Sequence, residues 1–145
     1  MKRFTLIALF ISALTVSAFA GGQQPTTFKK TPKNIQKVVL ANYTDKDVLI
    51  VTSEKGIGGH KEYTLILSDE TKLKYDEKAV LRSAKNANGI KEAFIPKNIQ
   101  KYLTQTFPNA TVTEYEWERA KQEVTLNNKL ELVFDKRGKF LRVED

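Results

Sequence analysis

Few side chains in this 145-residue chain could carry out catalytic chemistry. Histidine occurs once, as His60, and cysteine does not occur at all. A Cys–His catalytic pair and a multi-histidine metal site are therefore excluded. His60 directly follows the glycine-rich segment 56–59, so we interpret it as a loop residue and not as a general base. The sequence predicts no catalytic residue, no metal site and no cofactor, and we expect a protein that is not an enzyme.

Carboxylates are plentiful, but they form no catalytic signature. Asp69, Asp76 and Asp135 fall at predicted turns, where a short acceptor side chain bonds the local backbone. Acid-catalysed hydrolysis would need two carboxylates about 5 to 9.5 Å apart in a cleft. A hydrolase of that kind stays an alternative that only the three-dimensional structure can address.

The best candidate for a contact site is an aromatic pair on one predicted strand. Tyr115 and Trp117 alternate with Glu114, Glu116 and Glu118, so the aromatic side chains share one face and the acids share the other. If the aromatic face lies beneath a helix, both rings are core residues. If it points away from the helices, both rings stand exposed as binding anchors. Both interpretations are open at this point.

An internal duplication positions these side chains. The six residues PKNIQK that begin at Pro32 recur letter for letter from Pro96, 64 residues later. At the same offset Val39 matches Leu103, Tyr43 matches Phe107, and Val48 matches Val112. Residues 62–65 match residues 123–126 at an offset of 61, and residues 73–76 match residues 132–135 at an offset of 59. Hydrophobic positions and turn positions both recur, so we infer two copies of one unit.

Each copy is predicted to be one helix followed by a four-stranded antiparallel meander, which gives an α+β fold. Proline suits a helix start, Thr31 is the predicted N-cap of the first helix, and apolar residues, Val38 among them, recur at helical spacing. The predicted strands are 48–53, 61–67, 71–75 and 80–83 in the first copy, and 111–119, 121–126, 130–135 and 139–143 in the second.

The first twenty residues have the form of a cleaved export signal. Lys2 and Arg3 precede an apolar stretch, and Ala18-Phe19-Ala20 has the A-x-A form of a cleavage site. We therefore predict cleavage after Ala20 and a periplasmic or secreted product without a transmembrane segment. The predicted organisation is a signal peptide at 1–20, a flexible lead-in at 21–30, a first repeat at 31–85, a linker at 86–94 and a second repeat at 95–145.

The charge pattern argues against nucleic-acid binding. The formal net charge is +7, but the basic residues are scattered and mixed with acids. A nucleic-acid binder normally concentrates its basic residues on one face with aromatic residues between them. Because disulfides are impossible without cysteine, the stability of an exported chain of this kind must come from a packed core.

The sequence resembles the PepSY-like proteins, which are secreted bacterial proteins described as β-lactamase-inhibitor-like. The resemblance rests on the proline-led helix from Ile95 to Pro108 and on the LVFD segment from Leu132 with its turn at Gly138. The first copy departs from the pattern at residues 42–44 and at Ala79, where the turn glycine is missing. The resemblance implies two helix-plus-four-strand repeats joined as one curved sheet with helices on one face. It implies binding or inhibition only by analogy.

The resemblance also gives Asp69 a second interpretation, as a partner contact. In the β-lactamase inhibitor with which the family is compared, a hairpin loop of the first repeat inserts a carboxylate into the enzyme's active site, and Asp69 lies in a loosely similar hairpin. Our leading hypothesis is an exported, non-catalytic protein-binding module, an inhibitor or modulator of a secreted or periplasmic enzyme. The alternative is a structural envelope-associated protein that binds anionic cell-surface polymers. The sequence specifies neither the identity of the partner nor the oligomeric state.

Overall fold

The computed structural model describes residues 22–144, so the predicted signal peptide lies outside the described part of the chain. Two α-helices, α1 (Lys33–Leu40) and α2 (Lys97–Thr106), accompany nine strands in this part. The strands are β1 (Gln24–Pro25), β2 (Val48–Lys55), β3 (Lys61–Leu67), β4 (Lys72–Asp76), β5 (Leu81–Lys85), β6 (Val112–Glu118), β7 (Lys121–Leu126), β8 (Glu131–Asp135) and β9 (Phe140–Glu144). They form one antiparallel sheet in which the spatial order is the chain order.

Alternating side chains give the sheet two different faces. On the helix-side face, one row of directly paired residues crosses the sheet from β2 to β9: Val51, Leu65, Leu73, Ala84, Tyr115, Val124, Leu132 and Val143. Ile35 and Val39 of α1 and Ile99 and Leu103 of α2 pack with this row in one hydrophobic cluster. The opposite face, called the open face below, carries mostly the polar residues of the same strands, with Ile50, Ile66 and Val133 as apolar exceptions. The apolar alternation therefore places one core under both helices.

The strand registers recur between the two halves of the sheet. β2 pairs with β3 through Val51 opposite Leu65, and β6 pairs with β7 through Tyr115 opposite Val124. Every bridge of β4 with β5 recurs 59 residues later in β8 with β9, including the position of the bulge. The offset between the halves is 64 up to the β2–β3 hairpin and 59 after it, because residues 55–61 stand where the second half has only 119–120.

The match of residues 62–65 to residues 123–126 at an offset of 61 is wrong by two positions. Tyr63 lies opposite Ser53, and Gln122 lies opposite Trp117, so the structure makes Tyr63 the counterpart of Gln122. A shift of two residues leaves every side chain on the same face of a strand. The hydrophobic pattern is therefore the same at both offsets, and only the pairing of the strands separates them.

The predicted N-cap of the first helix is also wrong. Thr31 donates its hydroxyl to the carbonyl of Phe28 at 2.7 Å, inside a short 3-10 turn, and Pro32 occupies the N-cap position. The glutamine of the repeated PKNIQK segment makes the contact that recurs. Gln36 Nε2 donates to the carbonyl of Thr31 at 2.7 Å, and Gln100 Nε2 donates to the carbonyl of Ile95 at 2.6 Å. Each helix is thereby tied back to the turn that precedes it.

The segments that precede the two helices are part of the packed fold. Residues 21–30 were expected to be a flexible lead-in, yet β1 pairs with β2 and Phe28 is buried. The segment 86–94, expected to be a linker, places Ile90 and Phe94 in the same core. Each half of the structure therefore begins its packing before its helix.

Candidate functional site

Tyr115 lies on the helix-side face of β6 and is a core residue. It is opposite Ala84 on β5 and Val124 on β7, and it is 2% exposed. Its hydroxyl donates to Gln122 Oε1 at 2.7 Å. Burial raises the pKa of Tyr115 to about 12, so the hydroxyl keeps its proton at ordinary pH. Of the two interpretations of the aromatic pair, core packing is the correct one for Tyr115.

Trp117 lies on the same face near the end of β6 and is only partly buried. The guanidinium carbon of Arg82 lies 5.1 Å from the centre of its ring, which is a cation–π distance. The indole Nε1 is buried and has no hydrogen-bond partner within residues 22–144. Trp117 is therefore the member of the pair that a binding partner could touch.

An open apolar crevice with a volume of about 260 Å³ lies between the two halves on the helix side, next to Trp117. Its lining includes Val38 of α1, Tyr75 of β4, Leu81 of β5 and Pro96 at the start of α2. We call it the inter-repeat crevice. Because both halves contribute to its walls, neither half alone would form it.

Two residues that line the inter-repeat crevice each carry a buried donor that has no acceptor among the described residues. The hydroxyl of Tyr75, like the Nε1 of Trp117, has no hydrogen-bond partner among the described residues. Burial also raises the pKa of Tyr75, so this hydroxyl remains a donor. An unmet buried polar group costs about 1–3 kcal/mol. Both donor atoms are covered by neighbouring side chains, so an acceptor group reaches them, and recovers part of that free energy, only if the lining of the crevice rearranges.

A charged cleft of about 560 Å³ meets the crevice at Trp117. It lies at the end of the sheet where the β2–β3 and β4–β5 connections come together, and we call it the hairpin cleft. Arg82 forms a two-point contact with Asp76 Oδ2, at 3.0 Å from Nε and 2.7 Å from Nη2. His60 Nδ1 lies 2.7 Å from Glu77 Oε1. The one histidine of the chain is thus an exposed residue at the rim of the cleft, where it contacts Glu77.

Two carboxyl groups of the hairpin cleft, those of Asp76 and Glu77, are held in their charged form. Partial burial acts to raise the pKa of Asp76, but hydrogen bonds from the Val80 N–H and from Arg82 outweigh burial and lower it. Hydrogen bonds from His60 and from the Lys61 N–H lower the pKa of Glu77. A general acid needs a raised pKa, so neither group fits that role. Within residues 22–144, no three His, Asp or Glu side chains are grouped so that they could hold a metal ion.

Asp69 supports the turn between β3 and β4. Its Oδ1 accepts a hydrogen bond from the Thr71 N–H at 3.0 Å, and its Oδ2 accepts one from the Tyr43 hydroxyl at 2.7 Å. Burial acts to raise the pKa of Asp69, but these hydrogen bonds outweigh burial and lower it. In the second half, Asn128 Oδ1 accepts from the Leu130 N–H in the equivalent turn. Asp69 therefore has a structural role, and its role as a partner contact stays a prediction.

The open face of the sheet is polar across most of its width. One row of directly paired residues runs from β2 to β7 as Thr52, Thr64, Lys74, Ser83, Glu116 and Glu123. Lys85 forms ion pairs with Glu114 and with Glu116. The aromatic pair considered in the sequence analysis is therefore not on this face.

Sequence reasoning identified Trp117 but missed the crevice beside it. Val38 shares the helical spacing of the buried residues Ile35 and Val39, yet it is 41% exposed and lines the crevice. Tyr75 appeared only as a strand residue. The available signal was the comparison of the copies: at an offset of 59, Tyr75 corresponds to Phe134, so one copy carries a hydroxyl that the other copy lacks.

The equivalent turns at Asp76 and Asp135 predict an acid-sensitive stability. Hydrogen bonds from the Lys139 and Arg137 N–H groups lower the pKa of Asp135, as the contacts described above do for Asp76. A lowered pKa adds stability above the unfolded value of about 4, and this stability is lost as the pH falls through the folded value. We expect the double variant Asp76→Asn/Asp135→Asn to be less stable than wild type at pH 7, with the difference shrinking by pH 2.5.

Urea denaturation at a series of pH values measures this difference. Glu118→Gln is the control, because the Glu118 carboxylate has no hydrogen-bond or ion-pair partner among the described residues. A gap between wild type and the double variant that stays constant from pH 7 to pH 2.5 would show that these carboxylates do not link stability to pH.

A family model matches the chain twice. Its description is "Putative beta-lactamase-inhibitor-like, PepSY-like", and the matches cover residues 22–83 and 82–142. The two matches are adjacent and together span nearly all of the described residues. They confirm the tandem duplication and the family resemblance that the sequence predicted.

Solved structures from Bacteroides have the same fold. A "putative calcium-regulated periplasmic protein" from Bacteroides thetaiotaomicron is 26% identical, with a TM-score of 0.75 over 85% of this chain and 97% of that chain. A "putative periplasmic protein" from Bacteroides vulgatus is 23% identical, with a TM-score of 0.78 over 87% of this chain and 99% of that chain. Another from Bacteroides vulgatus, described as of unknown function, is 25% identical, with a TM-score of 0.75 over 86% and 100%.

Two further observations complete the comparison. No protein with a curated description matches this chain. No helix within residues 22–144 has the length and apolar content that crossing a bilayer requires.

Proposed function

This chain belongs to the PepSY-like family, and from that premise we propose that it is an exported, non-catalytic module that binds a protein partner on the helix side of its sheet. The partner class is a secreted or periplasmic enzyme, which the module inhibits or modulates. The observation that carries the proposal is the inter-repeat crevice, whose lining residues Tyr75 and Trp117 each carry a buried donor without an acceptor.

Export is supported from two directions. Residues 1–20 have the charge, apolar stretch and small-residue cleavage site of a signal peptide, with cleavage after Ala20. The similar solved structures are described as periplasmic proteins. These observations support our proposal that the mature chain is periplasmic or secreted, where an exported enzyme is within reach.

The size of the crevice favours an inserted segment of another protein over a cofactor. Cofactor-sized ligands occupy pockets of about 300–1,000 Å³, whereas the inter-repeat crevice has about 260 Å³. That space suits one or two apolar side chains of a partner. Once the lining shifts to admit that segment, the Tyr75 hydroxyl and the Trp117 N–H would donate to its backbone carbonyls. The charged hairpin cleft supplies a polar rim beside it.

The duplication offers an evolutionary explanation for the inter-repeat crevice. We propose that each half descends from one unit of a helix and four strands, and that the crevice arose where the two units were joined. Phe134 is the counterpart of Tyr75, it is fully buried, and it has no hydroxyl. The packing at this position therefore does not require the hydroxyl of Tyr75. The Tyr75 hydroxyl is buried, has no hydrogen-bond partner among the described residues and is not required for packing. Such a group is typical of a site that sacrifices stability for binding.

Removing one donor at a time tests the proposal. We expect Tyr75→Phe to leave the free energy of unfolding unchanged or to raise it by about 1 kcal/mol, because the unmet hydroxyl is removed. We expect the same variant, and Trp117→Phe, to weaken partner binding about 3- to 10-fold through the lost hydrogen bond. Trp117→Ala should weaken it by about 30-fold or more, as for an aromatic hot spot.

The measurement is chemical cross-linking of the full-length chain expressed with export, followed by quantitative mass spectrometry of the envelope proteins recovered. Leu49→Ala is the matched control, because Leu49 is an exposed apolar residue that does not line the crevice. Partners recovered equally by wild type and by all three crevice variants would contradict the proposal. If binding is lost at about 0.2 M salt but is retained by Trp117→Ala, the result would instead favour the alternative function, in which the protein binds anionic cell-surface polymers.

A further inference from the structure

The last strand, β9, leaves the core row of the sheet unfinished. The row on the helix-side face is buried from Val51 to Leu132, but Val143 at its end is 43% exposed. Within residues 22–144, β9 pairs only with β8, so its outer N–H and C=O groups have no partner strand. A free edge with exposed apolar residues is a template for another strand.

The equivalent edge inside the chain is covered. β5 corresponds to β9 at an offset of 59, and β5 pairs with β6 through Ser83 opposite Glu116, Ala84 opposite Tyr115 and Lys85 opposite Glu114. Ala84, the counterpart of Val143, is consequently fully buried. Both strands contain the same bulge, so the bulge that often protects an edge does not prevent pairing here. The fold thus contains one example of this edge with its neighbour in place.

The sequence of β9 is complementary to itself in an antiparallel pair. If two β9 strands meet around Val143, Val143 lies opposite Val143 of the second copy. Arg142 then lies opposite Glu144 of the second copy, twice by symmetry. In the isolated chain, Arg142 and Glu144 already pair with each other along the strand. Opposite charges directly across an antiparallel pair are stabilising.

We propose that two copies of this protein associate through β9, with three residue pairs per contact, and join their sheets into one. This inference goes beyond the proposed function and does not depend on the inter-repeat crevice. The other end of the sheet is already covered in part, because β1 pairs with β2 at Thr52 and Ser53. Symmetry closes the contact at two copies, so no open filament forms.

Sedimentation of the protein purified after export measures the association. Because the contact is short, we expect a weak dimer, whose weight-average mass rises from one chain toward two over roughly 10 to 500 μM. The expected result is this concentration dependence. A mass that stays at one chain throughout the range would overturn the proposal. The edge of β9 would then be available for pairing with a strand from an unrelated protein.

Charge exchange identifies the contact. Arg142→Glu places two pairs of like charges across the contact, and so does Glu144→Arg, so each variant alone should dimerise about tenfold more weakly than wild type or worse. Mixing the two variants restores opposite charges at both positions, so the mixture should dimerise within about threefold of wild type.

Two further variants test whether the contact is centred on β9. Val143→Lys should abolish the dimer by placing two like charges at its centre, whereas Lys136→Glu, in the exposed β8–β9 turn and outside the three paired positions, should leave it unchanged. Circular dichroism and thermal melting check that every variant is folded. A dimer that persists in Arg142→Glu, or a mixture that remains monomeric, would overturn the proposal.

Discussion

Replacing Phe134 with alanine is expected to lower the free energy of unfolding by about 3 to 5 kcal/mol, the largest effect of any single substitution considered. Phe134 is fully buried on β8. Its ring meets Tyr102 of α2 edge-to-face at 5.4 Å and Phe140 of β9 at 5.8 Å. Tyr102 in turn stacks on Phe140 at 4.7 Å. Alanine would therefore leave a cavity and disrupt the aromatic cluster that joins α2 to the sheet.

Urea denaturation followed by circular dichroism measures this loss. The control is Leu141→Ala, one residue from the cluster on β9, where the side chain is 50% exposed and we expect a change below about 0.5 kcal/mol. If Phe134→Ala lost less than about 1.5 kcal/mol, the aromatic cluster would not be the main connection between α2 and its half of the sheet.

The local pattern of the chain predicts most of the strands. The bounds of β3 and β7 are those expected from the sequence, and the other long strands differ by at most two residues at either end. The reason is that alternation and turn residues act within a few neighbours. Turn positions with positive φ are also shared: Glu70 and Lys129 have φ of 70° and 72° in equivalent hairpins.

Contacts between distant segments explain what the local pattern missed. Thr31 is a good N-cap residue by type, but its hydroxyl donates instead to the carbonyl of Phe28, whose side chain is buried in the core. Val38 has helical spacing with Ile35, but at its position α1 faces the gap between the halves and not the sheet. The inter-repeat crevice depends on how the two units pack against each other, and the local sequence pattern of either unit does not specify that packing.

The junction that holds the two halves together predicts a second large effect, in the variant Asn86→Ala. Asn86 lies at the end of the first half and is 7% exposed. Its Nδ2 donates to the carbonyl of Asp69 and to Thr71 Oγ1, both at 2.9 Å. Its Oδ1 accepts from the Asn88 N–H at 2.9 Å. The side chain thus joins the β3–β4 turn to the segment that leads into the second half.

Alanine at position 86 would leave the buried Thr71 hydroxyl with only a 3.4 Å contact to Tyr43, and the Asp69 carbonyl and the Asn88 N–H would each lose this partner. We expect a loss of about 2 to 3 kcal/mol in the free energy of unfolding. Asn88→Ala is the control, because Asn88 is exposed and its side chain forms no hydrogen bond within the described residues. A loss no greater than the control's would mean that backbone contacts alone hold the junction.

The same variant separates the stability of the fold from the geometry of the crevice. Asn86 does not line the inter-repeat crevice, but it helps to fix the two halves whose meeting forms that crevice. If the crevice binds the partner, Asn86→Ala should weaken cross-linking to the partner even at temperatures where the variant is fully folded, because a looser junction no longer holds Tyr75 and Trp117 in one arrangement. Undiminished cross-linking by the folded variant would show that binding does not require a fixed junction, and it would place the contact within one half of the molecule.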